Sequence, residues 1–163
     1  MISEYQEQKR VSDQIDGIYE EKHNNKEADM DFEYKTTHEF KAEDLKDLFL
    51  SVEWSSGHYP ERLAVAMRNF KSVFSAWDED KLIGMVCVMD DGIMNAYIHY
   101  VLVNPEYHGK GVGHHMMNMV KKKYKDYLRI IVIAYDKEMD FYRSCGFEGT
   151  DDKSPMFITD LWT

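Results

Sequence analysis

The loop from His108 to Gly113, with the sequence HGKGVG, is the part of the chain whose residue types and spacing best suit chemistry. The segment before it, Tyr97 to Val103, is rich in β-branched and aromatic residues and predicts a strand. From Val112 to Val120, apolar residues recur at three- and four-residue spacing and predict a helix. A glycine loop at a helix start presents bare N–H groups to an anion, which can approach closely because glycine lacks Cβ. We therefore expect a phosphate-bearing ligand here.

The glycine spacing excludes the better-known nucleotide loops. A Walker loop needs four residues between its glycines and then Gly-Lys-Ser/Thr, and this segment has neither. In the dinucleotide fingerprint the third glycine falls one residue later than Gly113, and an acidic residue follows about 20 positions on. Leu128 to Ile131 stand there instead. A glycine turn that only begins a helix is the alternative interpretation.

A second motif follows some thirty residues later, where Phe141 to Phe147 reads FYRSCGF. The loop and this segment together resemble the GCN5-related N-acetyltransferase (GNAT) family. In that family, Gln/Arg-x-x-Gly-x-Gly/Ala binds the pyrophosphate of acetyl-CoA, and Phe-Tyr-x-x-x-Gly-Phe lies on a later helix. The resemblance extends from about Phe32 to Thr163.

The resemblance implies an α/β (α+β) GNAT fold with a mixed, mostly antiparallel central sheet, splayed at the cofactor site and covered by helices on both faces. The residue pattern predicts strands at Phe32–Thr36, Ser72–Trp77, Leu82–Met89, Asn95–Val103, Ile130–Ala134 and near Met156–Ile158. It predicts helices near Leu45–Val52, from Pro60, after the glycine loop and over Asp136–Cys145. Residues 1–31 are predicted to form an N-terminal extension, a weak amphipathic helix plus polar linker, before an acetyltransferase domain at 32–163.

Composition restricts the partners. The formal net charge of −10 argues against nucleic acid, whose binding depends on phosphate neutralisation, and suits a cationic amine. No apolar run approaches the roughly 18 residues of a membrane span, and the N-terminus lacks the order of a signal peptide, so we expect a cytoplasmic protein without a membrane partner. His114 and His115 are helix neighbours that do not converge on one ion, so no metal is expected. The resemblance and the N-terminal apolar stripe also predict a homodimer.

By resemblance, acetyl-CoA is the cofactor and main-chain atoms hold it. Val101, Leu102 and Val103 would pair with the pantetheine, and the N–H of Leu102 would polarise the thioester carbonyl. The pyrophosphate would lie on the loop, with contacts from His108, Gly109, Lys110, Gly111, Val112, Gly113 and His114. His108 replaces the usual Gln or Arg and can still donate one hydrogen bond.

Tyr142 occupies the family's position for the residue that faces the departing sulfur. Proton transfer from a phenol of pKa about 10 to a thiolate whose conjugate acid has a pKa of about 8.5 is unfavourable in free energy. We therefore expect Tyr142 to donate a hydrogen bond to the negative charge that develops on the sulfur, with full proton transfer only if the pKa of Tyr142 is lowered. An aromatic residue on a packed helix face is the alternative.

The general base and the acceptor site are less defined by the sequence. Many relatives carry an acidic residue on the central strand, where this chain has His99 and Tyr100. Adjacent strand residues point to opposite faces, so only one of the two is expected to face the substrate. His99 could accept the amine proton directly or through water, or could be hydrogen-bonded inside the sheet. Further candidates for acceptor binding, besides Tyr100, are Glu53, Trp54 and Asp90 or Asp91.

These features predict an acetyl-CoA-dependent N-acetyltransferase that acts on a primary amine of a small molecule by direct attack in a ternary complex. Trp54, Asp91-Gly92 and Met156-Phe157 add a likeness to small bacterial acetyltransferases related to plant chloroplast serotonin acetyltransferases, which favours an aromatic or polyamine-like amine. Two alternatives are transfer to a protein N-terminus or lysine, and a non-catalytic acyl-CoA-binding module, since the strand carboxylate is absent.

Overall fold

The computed structural model describes residues 31–150 and 152–161, which form a five-stranded sheet flanked by helices. The strands, in spatial order, are β1 (Glu33–Lys35), β2 (Ser72–Asp78), β3 (Lys81–Asp90), β4 (Asn95–Val103) and β5 (Arg129–Val132). The helices are α1 (Ala42–Ser51), α2 (Pro60–Asn69), α3 (Val112–Lys123) and α4 (Met139–Ser144). Apart from Asp31, the predicted N-terminal extension lies outside the described residues. Within the described ranges, no helix combines the length and apolarity that crossing a bilayer requires.

The sheet is mixed and separates two apolar cores. β1 to β4 pair antiparallel in sequence order, and β5 pairs parallel to β4. Because successive strand residues face opposite sides, Met85 and Leu102 pack under α1 and α2, while Val86 and Ile98 pack under α3. The predicted GNAT fold, with helices on both faces, is confirmed.

The splay lies between β4 and β5. The two strands pair only from Asn95 with Arg129 to Ile98 with Val132. Beyond that point, residues 99–103 of β4 face no strand of the described chain on the β5 side. This opening is where the predicted cofactor contacts of β4 would be made.

Two predicted elements differ from the structure. No strand forms at Met156–Ile158, and the side chains of Met156 and Ile158 are fully exposed. Their alternation carries strand propensity, but a strand also needs a hydrogen-bonded neighbour, and these residues pair with none of the described strands. The helix predicted over Asp136–Cys145 is divided into a 3₁₀ turn at Asp136–Glu138 and the short α4.

Candidate active site

The glycine loop has the backbone geometry of an anion-binding site. Gly109 and Gly111 have φ of 75° and 76°, in the left-handed region, and a Cβ at either position would meet no atom within 4 Å. The first hydrogen bond of α3 runs from the His115 N–H to the Gly111 carbonyl at 2.9 Å. The N–H groups of Val112 and Gly113 precede that bond and need acceptors outside the helix. The open loop and these amides fit a diphosphate.

A lysine stands beside this loop. The hydroxyl of Tyr107 donates to Asp78 Oδ2 at 2.7 Å, which fixes the ring next to the loop. The Nζ atoms of Lys110 and Lys81 lie 4.7 and 5.3 Å from the centre of that ring. Cation–π contact with Tyr107 therefore keeps the charge of Lys110 at the predicted phosphate site.

Both histidines predicted to touch the pyrophosphate are engaged with protein atoms. His108 Nε2 donates to the Val103 carbonyl at 2.9 Å and so anchors the end of β4. His114 Nε2 lies 2.9 Å from Ser144 Oγ, whose own proton is donated to the Phe141 carbonyl at 2.6 Å. The histidine nitrogen must then be the donor in that pair. These contacts use the two Nε2 atoms to hold β4 and α4 in place, so neither atom is aimed at an anion.

The register of β4 corrects one predicted contact. Leu102 is paired with Met85, and the Asn104 N–H donates to the Ile83 carbonyl at 2.8 Å. Hydrogen-bonded pairs alternate along an antiparallel ladder, so Leu102 directs its N–H and carbonyl toward β3. The prediction that the Leu102 N–H polarises the thioester is therefore wrong. By the same alternation, Val101 and Val103 direct their main-chain groups toward the opening.

A β-bulge places His99 and Tyr100 on the same side of the sheet. Cys87 is paired with Tyr100 and Val88 with Ile98, which leaves His99 as the extra residue. The His99 and Tyr100 rings lie 5.9 and 5.8 Å from the Phe70 ring and 4.3 Å from each other. The expectation that only one of them faces the substrate side is wrong, because a bulge breaks strict alternation.

The ionisation of His99 suits proton acceptance. Partial burial lowers the pKa of His99 from its usual 6.5, so the imidazole is neutral at pH 7. The ring still has exposed surface from which an incoming group can approach. A neutral, accessible imidazole at the start of the opening is competent as a general base.

The turn after α1 brings Trp54 to Tyr100. Glu53 has φ 61°, and the Trp54 N–H bonds to the Phe49 carbonyl at 3.0 Å, as in a Schellman helix end. The Trp54 ring packs 6.3 Å from Phe49 and 5.5 Å from Tyr100. This packing holds a strained non-glycine residue in place, and the Glu53 side chain is exposed next to the aromatic cluster.

Asp90 and Asp91 have structural partners. Asp90 accepts hydrogen bonds from the hydroxyls of Tyr124 and Tyr127 at 2.9 and 3.3 Å. Asp91 Oδ1 accepts the main-chain N–H groups of the turn that follows, and hydrogen bonds from Asn95 and its neighbours hold the pKa of Asp91 well below its usual range. Both carboxylates organise the end of β3 and the turn into β4, and the structure does not bring them to His99.

Tyr142 lies on the opposite face of the sheet from His99. Its ring packs against Phe141 and Phe147 at 5.1 and 5.9 Å, in the core under α3. Burial, followed by the nearby Glu138 carboxylate, raises the pKa of Tyr142 to about 12. The lowered pKa that full proton transfer required is absent, so the Tyr142 phenol keeps its proton over the ordinary pH range.

The contact between Gly113 of the glycine loop and Phe141 of the second motif was not predicted from the sequence. A Cβ on Gly113 would lie 3.2 Å from the Phe141 ring, so glycine lets the start of α3 approach α4 without a shift of that ring. The signal in the sequence was the third glycine, which an anion site alone does not require. It serves helix packing.

The chain is similar in sequence to known acetyltransferases. The family profile described as "Acetyltransferase (GNAT) family" matches residues 34–147. The chain is 39% identical over 72 residues to GCN5-related N-acetyltransferase 2, chloroplastic, of Arabidopsis thaliana, covering 43% of this chain and 28% of that protein. It is 30% identical over 110 residues to the uncharacterized N-acetyltransferase ycf52-like of Prochlorococcus marinus, covering 64% of this chain and 61% of that one.

A solved structure shares the architecture as well. It is a GNAT-family acetyltransferase of Streptococcus pneumoniae, with TM-score 0.66 and 25% identity over 79% of this chain and 98% of that one. The chain spans less than two thirds of either relative named above, whereas the family profile covers more than half of the chain. With the profile, the fold and the glycine loop in agreement, the chain belongs to the GNAT acetyltransferase family.

Proposed function

We propose that this protein is an N-acetyltransferase that transfers the acetyl group of acetyl-CoA to the primary amine of a small molecule within a ternary complex. The observation that carries the proposal is the opening between β4 and β5. It begins at His99, ends at the glycine loop and is flanked by Tyr142 on one face of the sheet and Tyr100 on the other. Donor and acceptor can therefore meet in the opening from opposite faces, as direct transfer requires.

The donor side is built from main-chain groups. The amides of Val112 and Gly113, with the open loop at Gly109 and Gly111, would bind the pyrophosphate of acetyl-CoA. Acetyl-CoA supplies an acetyl thioester when bound. The N–H of Val101, directed into the opening, would donate a hydrogen bond to the thioester carbonyl as negative charge develops on its oxygen.

The remaining chemistry is proton handling. An ammonium ion must lose its proton before the nitrogen can attack the carbonyl carbon, and neutral His99 accepts that proton. As the C–S bond breaks, the Tyr142 hydroxyl donates a hydrogen bond to the sulfur. With a pKa of about 12 against about 8.5 for a thiol, complete transfer of the phenol proton would be uphill by roughly 5 kcal/mol. Tyr142 would therefore stabilise the leaving thiolate through a hydrogen bond only, and the thiolate would take its proton from water or buffer. The attacking nitrogen would release its second proton to water or buffer as the amide forms.

A small acceptor is supported by the aromatic character of the substrate side, where Phe70 and Tyr100 pack against His99 and Trp54 packs against Tyr100. The net charge of −10 favours attraction of a cationic amine. A cytoplasmic location and a homodimer stay as predictions from the sequence.

The proposal is tested by incubating the full chain with acetyl-CoA and a panel of small primary amines, lysine peptides and free peptide N-termini. Thiol release is measured together with the mass of the acetylated product. We expect release with at least one small amine at a higher kcat/KM than with any peptide. Faster transfer to peptides would move the assignment to a protein acetyltransferase. Calorimetric binding of acetyl-CoA without turnover would support the binding module, and absence of binding would contradict the donor site.

A further inference from the structure

The end of the β2–β3 hairpin is fastened to the turn that precedes the glycine loop. One link is the hydrogen bond from the Tyr107 hydroxyl to Asp78 Oδ2, and the other is the ion pair between Lys81 Nζ and Glu106 Oε2, at 2.8 Å. Asp78 ends β2 and Lys81 begins β3, while the other two residues belong to the 3₁₀ turn Pro105–Tyr107. The hairpin therefore sets where the Tyr107 ring stands relative to the loop.

Lys110 depends on that ring for its position. It lies between Gly109 and Gly111, which both have positive φ, and its side chain is exposed. Glycine gives the backbone wide freedom and a lysine side chain has many rotamers, so the loop alone does not fix the ammonium group. The Tyr107 ring centre, 4.7 Å from Lys110 Nζ, restrains it by cation–π attraction. A cation held in advance loses less entropy when an anion binds.

The ion pair of Lys81 keeps Glu106 from competing for Lys110. The hydrogen bond from Lys81 is the main cause that lowers the pKa of Glu106, and the charge of Lys110 acts more weakly in the same direction. Lys110 itself forms no ion pair with the residues that the structure describes. Without Lys81, Glu106 would have Lys110 as its nearby cation and would draw it away from a bound anion.

We propose that Tyr107, fixed by Asp78, is a positioning residue that holds the Lys110 ammonium at the diphosphate of the donor. Lys81 supports this arrangement by occupying Glu106. The assignment rests on the proposed use of acetyl-CoA and adds a basis for donor selection. A thioester that carries a diphosphate gains affinity from the held ammonium, and a thioester without one does not.

The test is calorimetric titration of CoA and of dephospho-CoA into the full chain at low ionic strength. Dephospho-CoA keeps the diphosphate and lacks the 3′-phosphate. We expect Lys110→Met to weaken binding of both ligands about 10-fold, because a charge-assisted contact is lost. Tyr107→Leu should weaken both about 2- to 5-fold, as expected for an exposed cation–π contact. Added to Lys110→Met, the leucine substitution should have no further effect.

The ion pair gives a second, independent measurement. Lys81→Met should weaken CoA binding a few-fold, and Lys81→Met combined with Glu106→Gln should restore it, since the competing carboxylate is then gone as well. These surface substitutions also decide the matter if Tyr107→Leu does not fold. Tyr59→Leu is the matched control, because it removes a ring that Arg62 contacts at 5.3 Å in another part of the surface. Its CoA affinity should equal that of the wild type.

Equal losses from Tyr107→Leu with and without Lys110 would overturn the inference, because they would show a general structural effect. A loss seen with CoA but not with dephospho-CoA would also overturn it, by moving Lys110 to the 3′-phosphate. Absence of CoA binding in the wild type would contradict both this inference and the proposed function. CoA binding that depends on Tyr107 and Lys110, without thiol release for any amine, would support the positioning role and contradict acetyl transfer.

Discussion

Replacing Gly111 with alanine separates the backbone role of this glycine from the anion site that we propose around it. Gly111 has φ 76°, and Gly92, in the turn between β3 and β4, has φ 87°. A Cβ at either position would meet no atom within 4 Å. Gly111→Ala and Gly92→Ala therefore impose the same backbone strain without a clash, at opposite ends of β4. Only the first adds a methyl group to the open face of the loop.

The expected magnitudes follow from this geometry. An L-residue in the left-handed region costs about 1–2 kcal/mol, so both variants should lose that much free energy of unfolding. For a domain of this size, the loss corresponds to a fall of roughly 2–8 °C in Tm. A charge-assisted hydrogen bond contributes about 1.5–3 kcal/mol, so displacing the diphosphate from one amide should weaken acetyl-CoA binding by about 10- to 100-fold. The Gly92→Ala variant should keep wild-type affinity.

Thermal unfolding followed by circular dichroism and calorimetric titration with acetyl-CoA give the two quantities independently. Wild-type affinity in Gly111→Ala would refute the proposed position of the diphosphate. An equal loss of affinity in Gly92→Ala would show that general destabilisation, and not the loop, is responsible. Alanine is the better probe than valine here, because a β-branched side chain at positive φ adds strain that would obscure the comparison.

Three further predictions address the opening. Tyr142→Phe should lower kcat by about 10- to 100-fold without changing acetyl-CoA affinity. Because the pKa of Tyr142 is raised to about 12, ionisation of this phenol should cause no loss of wild-type activity below about pH 11. We propose that the neutral form of His99 is the active one, and the pKa of His99 is lowered, so wild-type kcat/KM should fall as the pH drops below the usual 6.5. The His99→Gln variant should lose this fall in kcat/KM at low pH. A fall centred above pH 7 would contradict the assignment. Ser144→Ala removes the hydrogen bond between Ser144 and His114. Introduced into the wild-type chain, this substitution should lower kcat a few-fold, whereas added to Tyr142→Phe it should have no further effect on kcat. Equal losses in both backgrounds would indicate a purely structural role.

The elements set by local pattern were predictable. The helix at Pro60–Asn69 and the strand at Asn95–Val103 were predicted at their observed starts, because a proline at a helix start and a run of β-branched and aromatic residues are local signals. The glycine loop was predictable for the same reason. The spacing of its glycines is by itself enough to indicate the loop.

The errors concern properties that depend on distant partners. Pairing with β3 decides which main-chain groups of Val101 and Leu102 face the opening. The bulge arises because His99 is an extra residue in β4 relative to Cys87 and Val88 of β3. Neither can be read along β4 alone. The pKa of Tyr142 depends in the same way on burial by α3 and the segment around Phe147.

The glycine loop and Tyr142 form one structural unit, although some thirty residues separate them. A six-residue helix such as α4 has little stability of its own, so the position of Tyr142 depends on what α4 packs against. The first turn of α3 supplies those contacts: Gly113 lies against Phe141, and His114 reaches Ser144. The amides of that same turn form the proposed diphosphate site. An anion that orders the start of α3 should therefore also steady Tyr142, the residue that we propose faces the leaving sulfur.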